Sequence, residues 1–207
     1  AQLLHQKNMR PVTIIGHSLG GSISLLYTSV YPDNVKKLVA IEGLGPSPSM
    51  QEKLKEKRIG DRIRDWMGDL RKSSGRSARR YLTLEDAFQR MQDENPHLSE
   101  AQARHLTVHG SNQNEDGTFS WKFDNYVRFF AFSDLPRNDL KKLWGDIKCP
   151  TLLVRGLESW ASDPVADGRT EHFNCPIEVE AFEKAGHWVH HDQLEGFVQR
   201  VRTFLAD

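Results

Sequence analysis

Val12-Thr13-Ile14-Ile15-Gly16-His17-Ser18-Leu19-Gly20-Gly21 is the stretch on which the fold turns. Its first four residues are all β-branched, the composition of a strand buried on both faces of a parallel sheet. Residues 1–10 before it read as the end of a helix, which Pro11 stops. After it, Gly16 to Gly21 turns sharply into a helical stretch with Ile23, Leu25, Leu26 and Val30 apolar, closed by Pro32. Val35 to Ile41 supplies the next strand, and Gly43, Gly45, Pro46 and Pro48 break it off. Strand, helix, strand in this order is a βαβ unit, which implies a right-handed crossover in a parallel sheet.

Beyond Ser47 the texture changes. Ile59, Ile63, Trp66, Met67 and Leu70 follow helical spacing, and Thr83 to Asp86 and Ser99 to Gln102 resemble capping boxes that open two more helices. Asn112 to Gly117 reads as a polar loop. Strand composition returns at Thr151 to Arg155, followed by a polar loop through Gly168, and again at Ile177 to Phe182. Leu194, Phe197, Val198, Val201, Phe204 and Leu205 then share one face of a closing helix. The expected organisation is a core part over 1–45, a helical insertion over 46–146 and a second core part over 147–207.

Across the 207 residues, 28 Lys and Arg balance 28 Asp and Glu, so no global field draws the chain to nucleic acid or to an anionic membrane. At 38% hydrophobic and 27% charged residues there is material for a core and too much of it for a disordered tail. The longest apolar runs fall far short of the ~20 residues needed to span a bilayer. Two cysteines make neither a disulfide scaffold nor a four-thiolate zinc site. Cys149-Pro150 and Cys175-Pro176 stand in matching contexts and are expected as free thiols, which fits a cytoplasmic protein. The chain opens on Ala1 without a signal pattern, and further sequence is expected in front of it. Between Lys53 and Arg80, 11 basic residues face 4 acidic ones; a solvated helix face explains this, and attraction of an anionic substrate or a membrane surface is the sharper alternative.

Gly16-His17-Ser18-Leu19-Gly20 is G-x-S-x-G between a strand and a helix, the context that motif requires of a nucleophile elbow. A hydroxyl needs a base. His187, in Ala185-Gly186-His187-Trp188, follows the last strand and precedes the last helix, where a parallel sheet gathers reactive groups. His190 and His191 crowd nearby, but no Cys or acidic ligands have matching spacing, so no metal and no cofactor is expected; the pair caps or packs the helix start. His17 reads as a buried packing residue beside the nucleophile and as a candidate substrate contact. His5, His97, His105, His109 and His172 read as ordinary surface or helix histidines.

These segments together resemble the α/β-hydrolase superfamily, in chain order Ser, acid, His: GHSLGG, the strand after it, a helical cap, the PTLLVRG strand and AGHW cover most of the chain. The resemblance is nearest to capped serine hydrolases related to esterases and to serine-hydrolase-like proteins. Epoxide hydrolases and haloalkane dehalogenases place Asp where this chain has Ser18, which disfavours those activities. The implied fold is the α/β-hydrolase fold, represented by about four strands from the C-terminal part of its parallel sheet with an inserted helical cap. The implied reaction is cleavage of a small carboxylic ester through an acyl-enzyme, with the Leu19 N–H as one oxyanion donor. Another acyl or C–C bond hydrolase, or a non-catalytic binding protein on the same scaffold, are the alternatives.

The chain departs from the family pattern in two places. The usual acid position, three or four residues past the glycine of the PTLLVRG strand, falls on Ser159 or Trp160. Glu158 and Asp163 flank it, and Glu42 ends the strand after the nucleophile helix, where a carboxylate also occurs in the family. All three remain candidates, Glu42 ahead of the others; an ion pair tying the insertion to the core is its plainer explanation. The second oxyanion donor usually lies on a loop well upstream of the nucleophile, and the strands present are about half those the fold carries. Val12 to Ile15 is then expected to expose a flat apolar edge, completed by an N-terminal segment or a partner chain. Trp121, Phe123, Tyr126, Phe129, Phe130 and Phe132 form the densest aromatic stretch, read as packing of cap on core or, with Trp160 and Trp188, as the lining of an apolar substrate pocket.

Overall fold

The computed structural model describes residues 1–74, 78–124 and 137–206. The chain divides into two compact units, one made of Ala1–Glu52 with Leu135–Asp207 and the other of Lys53–Asp134.

The first unit is built on a four-stranded parallel sheet. After a short helix α1 (Gln2–Gln6) come β1 (Val12–His17), α2 (Leu19–Val30) and β2 (Val35–Ile41). Helix α3 (Pro48–Glu56) spans the point in sequence where the first unit gives way to the second. The four-stranded sheet runs in the order β1-β2-β5-β6, with β5 at Thr151–Gly156 and β6 at Ile177–Phe182. All three pairings are parallel, as the βαβ reading requires, with Ile14 beside Leu38, Ala40 beside Leu153, and Val154 beside Glu180. The two central strands are buried almost throughout. Successive residues of β2 serve opposite layers, since side chains alternate across a strand. Leu38 and Ala40 pack with Leu25 of α2, Leu153, Phe173 and Trp144 of α7 (Arg137–Gly145). Val39 and Ile41 pack on the other face with Leu152, Val154, Val189 of α8 (Val189–Asp192), and Val201 and Phe204 of α9 (Leu194–Ala206).

Strand β1 lies at an edge of this sheet, where Ile15 is exposed. Beside it, α2 turns Leu19, Ile23, Leu26 and Val30 outward as an exposed apolar stripe. Cys149 and Cys175 sit two residues before the paired Thr151 and Ile177; both are free, and burial pushes both thiols up.

The second unit contains α4 (Ile59–Ser74), α5 (Leu84–Glu94) and α6 (Glu100–Gly110). Both capping boxes form: the Thr83 hydroxyl accepts from Asp86 N while the Asp86 carboxylate accepts from Thr83 N, and Ser99 and Gln102 repeat the exchange. Arg104 ties α6 to α5 through Glu85 at 2.7 Å and lays its guanidinium 3.9 Å from the Phe88 ring centroid. Much of the basic stretch from Lys53 to Arg80 is spent on exposed pairs such as Arg64–Asp61 at 2.7 Å and Lys72–Asp69 at 3.4 Å, the signature of a solvated helix face.

The segment read as a polar loop is in part a hairpin. β3 (Ser111–Gln113) pairs antiparallel with β4 (Phe119–Trp121), and Phe119 also bridges to Tyr81. β3 is short and polar and β4 is only Phe-Ser-Trp, each too short for a pattern to be read; Tyr81 exchanges backbone bonds with Phe119, and its hydroxyl accepts from Trp121 Nε1 at 3.2 Å. Of the aromatic stretch, Tyr126, Phe129, Phe130 and Phe132 lie outside the described residues. Among the described residues no helix is long and apolar enough to cross a membrane.

Candidate active site

Only Ser18 separates β1 from α2, so the chain must reverse direction across one residue. It does so with Ser18 at φ 53° and ψ −117°, a positive-φ conformation that L residues rarely hold without surrounding constraint. Ser18 N donates to Ile41 O at 2.8 Å, and Ser18 O accepts from Ser22 N at 3.0 Å to open the helix. The bend also needs backbone contact: a Cβ on Gly21 would come within 2.8 Å of Gly43 Cα, so α2 and the exit of β2 touch at glycine. Leu19 is the first residue of α2, and its N–H belongs to the turn whose donors have no partner inside a helix.

The parallel register then brings three distant segments to one end of the sheet. Nε2 of His187 lies 2.9 Å from Ser18 Oγ, and Nδ1 of the same ring lies 3.3 Å from Glu42 Oε2. Glu42 follows β2 directly at φ 52°, a second non-glycine residue held in the left-handed region. Its side chain is 0% exposed, yet it is well supplied with donors: Gly156 N to Oε1 at 2.8 Å and Ser159 Oγ to Oε2 at 2.8 Å. Held by these two donors, the carboxylate faces the imidazole ring from behind. Gly156 is obligatory here, because a Cβ would meet the Ala185 and Gly186 carbonyl oxygens at 2.3 Å. An alcohol, an imidazole and a buried carboxylate in this succession can pass the serine proton to Nε2 while the acid stabilises the resulting imidazolium.

The other candidate acids sit differently. Asp163 pairs with Arg155 at 3.0 Å and caps the following turn through Val165 N at 2.9 Å. Glu158 lies exposed in the loop after β5. Trp160, 69% exposed, stands with its ring centroid 5.1 Å from that of His187, and the half-buried Trp188 leans on His191 at 5.7 Å.

His17 donates from Nε2 to the backbone oxygen of His187 at 2.8 Å, so it holds the loop that carries the imidazole. Its ring lies between those of His187 and His190, at centroid distances of 4.8 and 4.6 Å, and His191 follows at 4.4 Å from His190. Among the described residues no group of three or more His, Cys, Asp or Glu is placed to hold a metal ion. Burial lowers the pKa of His17 and pushes that of His190 down to about 4, helped by the neighbouring imidazoles. Nδ1 of His190 is buried and has no hydrogen-bond partner among the described residues. Between 6.5 and about 4 the unfolded chain therefore binds a proton at His190 that the folded chain refuses. Stability is expected to fall as pH drops through that window, and His190→Gln should flatten the fall; thermal midpoints measured across the range will check it.

Sequence reasoning missed the contacts that hold the site together: the Ser159 hydroxyl and the Gly156 N–H on Glu42, and the His17 bond to His187. The one signal for Ser159 was its place where a carboxylate was sought and a hydroxyl stood.

A family model described as alpha/beta hydrolase fold matches residues 1–194. A 2-hydroxy-6-oxo-2,4-heptadienoate hydrolase of Pseudomonas putida is 25% identical over 206 residues, covering 100% of this chain and 67% of that protein. A serine hydrolase-like protein of Danio rerio is 30% identical over 206 residues, covering 93% of this chain and 60% of its own length. The solved structure of a Mycobacterium tuberculosis esterase superposes with a TM-score of 0.75 at 21% identity, covering 100% of this chain and 67% of that one. The chain thus spans about three-fifths to two-thirds of the length of these proteins.

Proposed function

The chain belongs to the alpha/beta hydrolase fold family, and from that premise we propose that it is a serine hydrolase of carboxylic esters. The observation that carries the proposal is the 2.9 Å approach of His187 Nε2 to Ser18 Oγ, with Glu42 behind the ring at 3.3 Å. Ser18 attacks the ester carbonyl, and His187 takes its proton and delivers it to the leaving alcohol. Glu42 stabilises the imidazolium, and the Leu19 N–H stabilises the tetrahedral oxyanion. Water then cleaves the acyl-enzyme by the same path. The exposed indole of Trp160, against the His187 ring, is suited to an apolar part of the substrate; Trp188 and His17 shape the same neighbourhood. Of the stretch read as a helical insertion, residues 46–146, the part over Lys53–Asp134 is assigned as a cap from its place in the sequence between the two halves of the core, while α7 packs Trp144 into the core itself.

A fluorophosphonate probe tests this directly, because only an activated serine reacts with it. Covalent labelling at Ser18 is expected. No labelling of the folded protein would favour a binding protein on this scaffold. The name of the Pseudomonas putida relative favours a second reading, a hydrolase of another acyl or C–C bond with the same triad. A panel of esters, thioesters and vinylogous diketo acids separates the two.

The bare edge of β1 and the apolar stripe on α2 are the surfaces that further chain, in the same polypeptide or in a partner, would cover. The 207 residues alone are expected to self-associate, and Ile15→Lys with Ile23→Glu should shift them toward monomer in size-exclusion chromatography. A monodisperse, active parent monomer would overturn this part.

A further inference from the structure

The proposed acid stands at the end of β2, but one oxygen of its carboxylate accepts from a side chain in the turn that follows a different strand. Ser159, in the turn after β5, donates from Oγ to Glu42 Oε2 at 2.8 Å, and that is the oxygen facing His187 Nδ1. The second oxygen is held by Gly156 N at 2.8 Å, so the turn over 156–159 grips both ends of the carboxylate. The same turn is tied to the segment that leads into His187, with Glu158 N donating to Ala185 O at 3.0 Å. Ser159 Oγ in turn accepts from Ala161 N at 3.2 Å, which aims its own proton at Glu42.

We infer that Ser159 is a positioning residue, acting through Glu42 to hold the carboxylate plane at the angle His187 requires. The inference rests on Glu42 being the acid of the proposed triad. A carboxylate fixed only through Oε1 keeps a rotation about its last side-chain torsion, which is broad and soft for Glu. That rotation would carry Oε2 off the Nδ1 axis. Ser159 removes it, and being a neutral donor it leaves the negative charge on Glu42 to act on the imidazolium.

The test is a double-mutant cycle in the intact protein, read as kcat and KM on a short-chain p-nitrophenyl ester. Ser159→Ala is expected to lower kcat about ten- to a hundredfold, the scale of a lost hydrogen bond to a charged group, with KM steady. Ser159→Thr, which retains the hydroxyl, should recover most of that loss, and it guards against a failure of Ser159→Ala to fold. In a Glu42→Gln background the same Ser159→Ala change should cost less than about twofold, because the anion it served is gone. Full additivity in the cycle, a loss confined to KM, or an unchanged kcat in Ser159→Ala would overturn the inference while leaving the triad intact. Parent activity in Glu42→Gln alone would instead remove Glu42 as the acid, and this inference with it.

Discussion

Ser18→Ala should lower ester turnover by about 10⁴–10⁶-fold, with substrate affinity nearly unchanged. The size follows from the role proposed for the hydroxyl: without it no acyl-enzyme would form, and water would attack with only the oxyanion donors and binding to help. The substitution removes one oxygen from a residue whose backbone is held by Ile41 O and Ser22 N, so those bonds survive. Its positive φ is as strained for alanine as for serine, so stability should change little. Ester hydrolysis by purified variant and parent, with circular dichroism as the fold control, checks both halves. Undiminished turnover in the variant would dispose of Ser18 as the nucleophile.

Glu42→Gln should cost about 10⁴-fold in kcat, whereas Asp163→Asn and Glu158→Gln should stay near the parent rate. The carboxylate accepts from His187, Ser159 and Gly156 at once. A glutamine has one acceptor oxygen and an NH₂ group, so one of these donors must face another donor. If the amide nitrogen turns to His187, the ring is driven to carry its proton on Nε2, the atom that must accept from Ser18. If it turns the other way, the Gly156 N–H is left buried against N–H bonds. Asp163 is committed to Arg155 and to its own turn, so its loss is one of local stability. Measuring kcat for the three variants decides among the carboxylates, and a loss centred on Asp163 or Glu158 would displace Glu42.

The strand and helix that flank the Ser18 bend were legible because their causes are local. Four β-branched residues before Gly16 specify a strand, and the glycines after it permit the bend. The two capping boxes were equally plain, since each is completed within four residues. The β3–β4 hairpin was not, because strands of three residues are too short for a pattern, and their contacts reach back to Tyr81, about forty residues earlier in the chain.

Of the proposed triad, the serine and the imidazole could be named from the chain alone, since each sits in a motif whose neighbours within a few residues create its geometry. The proposed acid could not. Three carboxylates stood in acceptable places, and the reason to propose Glu42 lies in the sheet register: Ile41 lies beside Val154, which carries Glu42 against Gly156 and Ser159 and under the ring of His187. A buried charge is held by the donors that surround it. Here those donors lie more than a hundred residues further along the chain, where no local pattern records them.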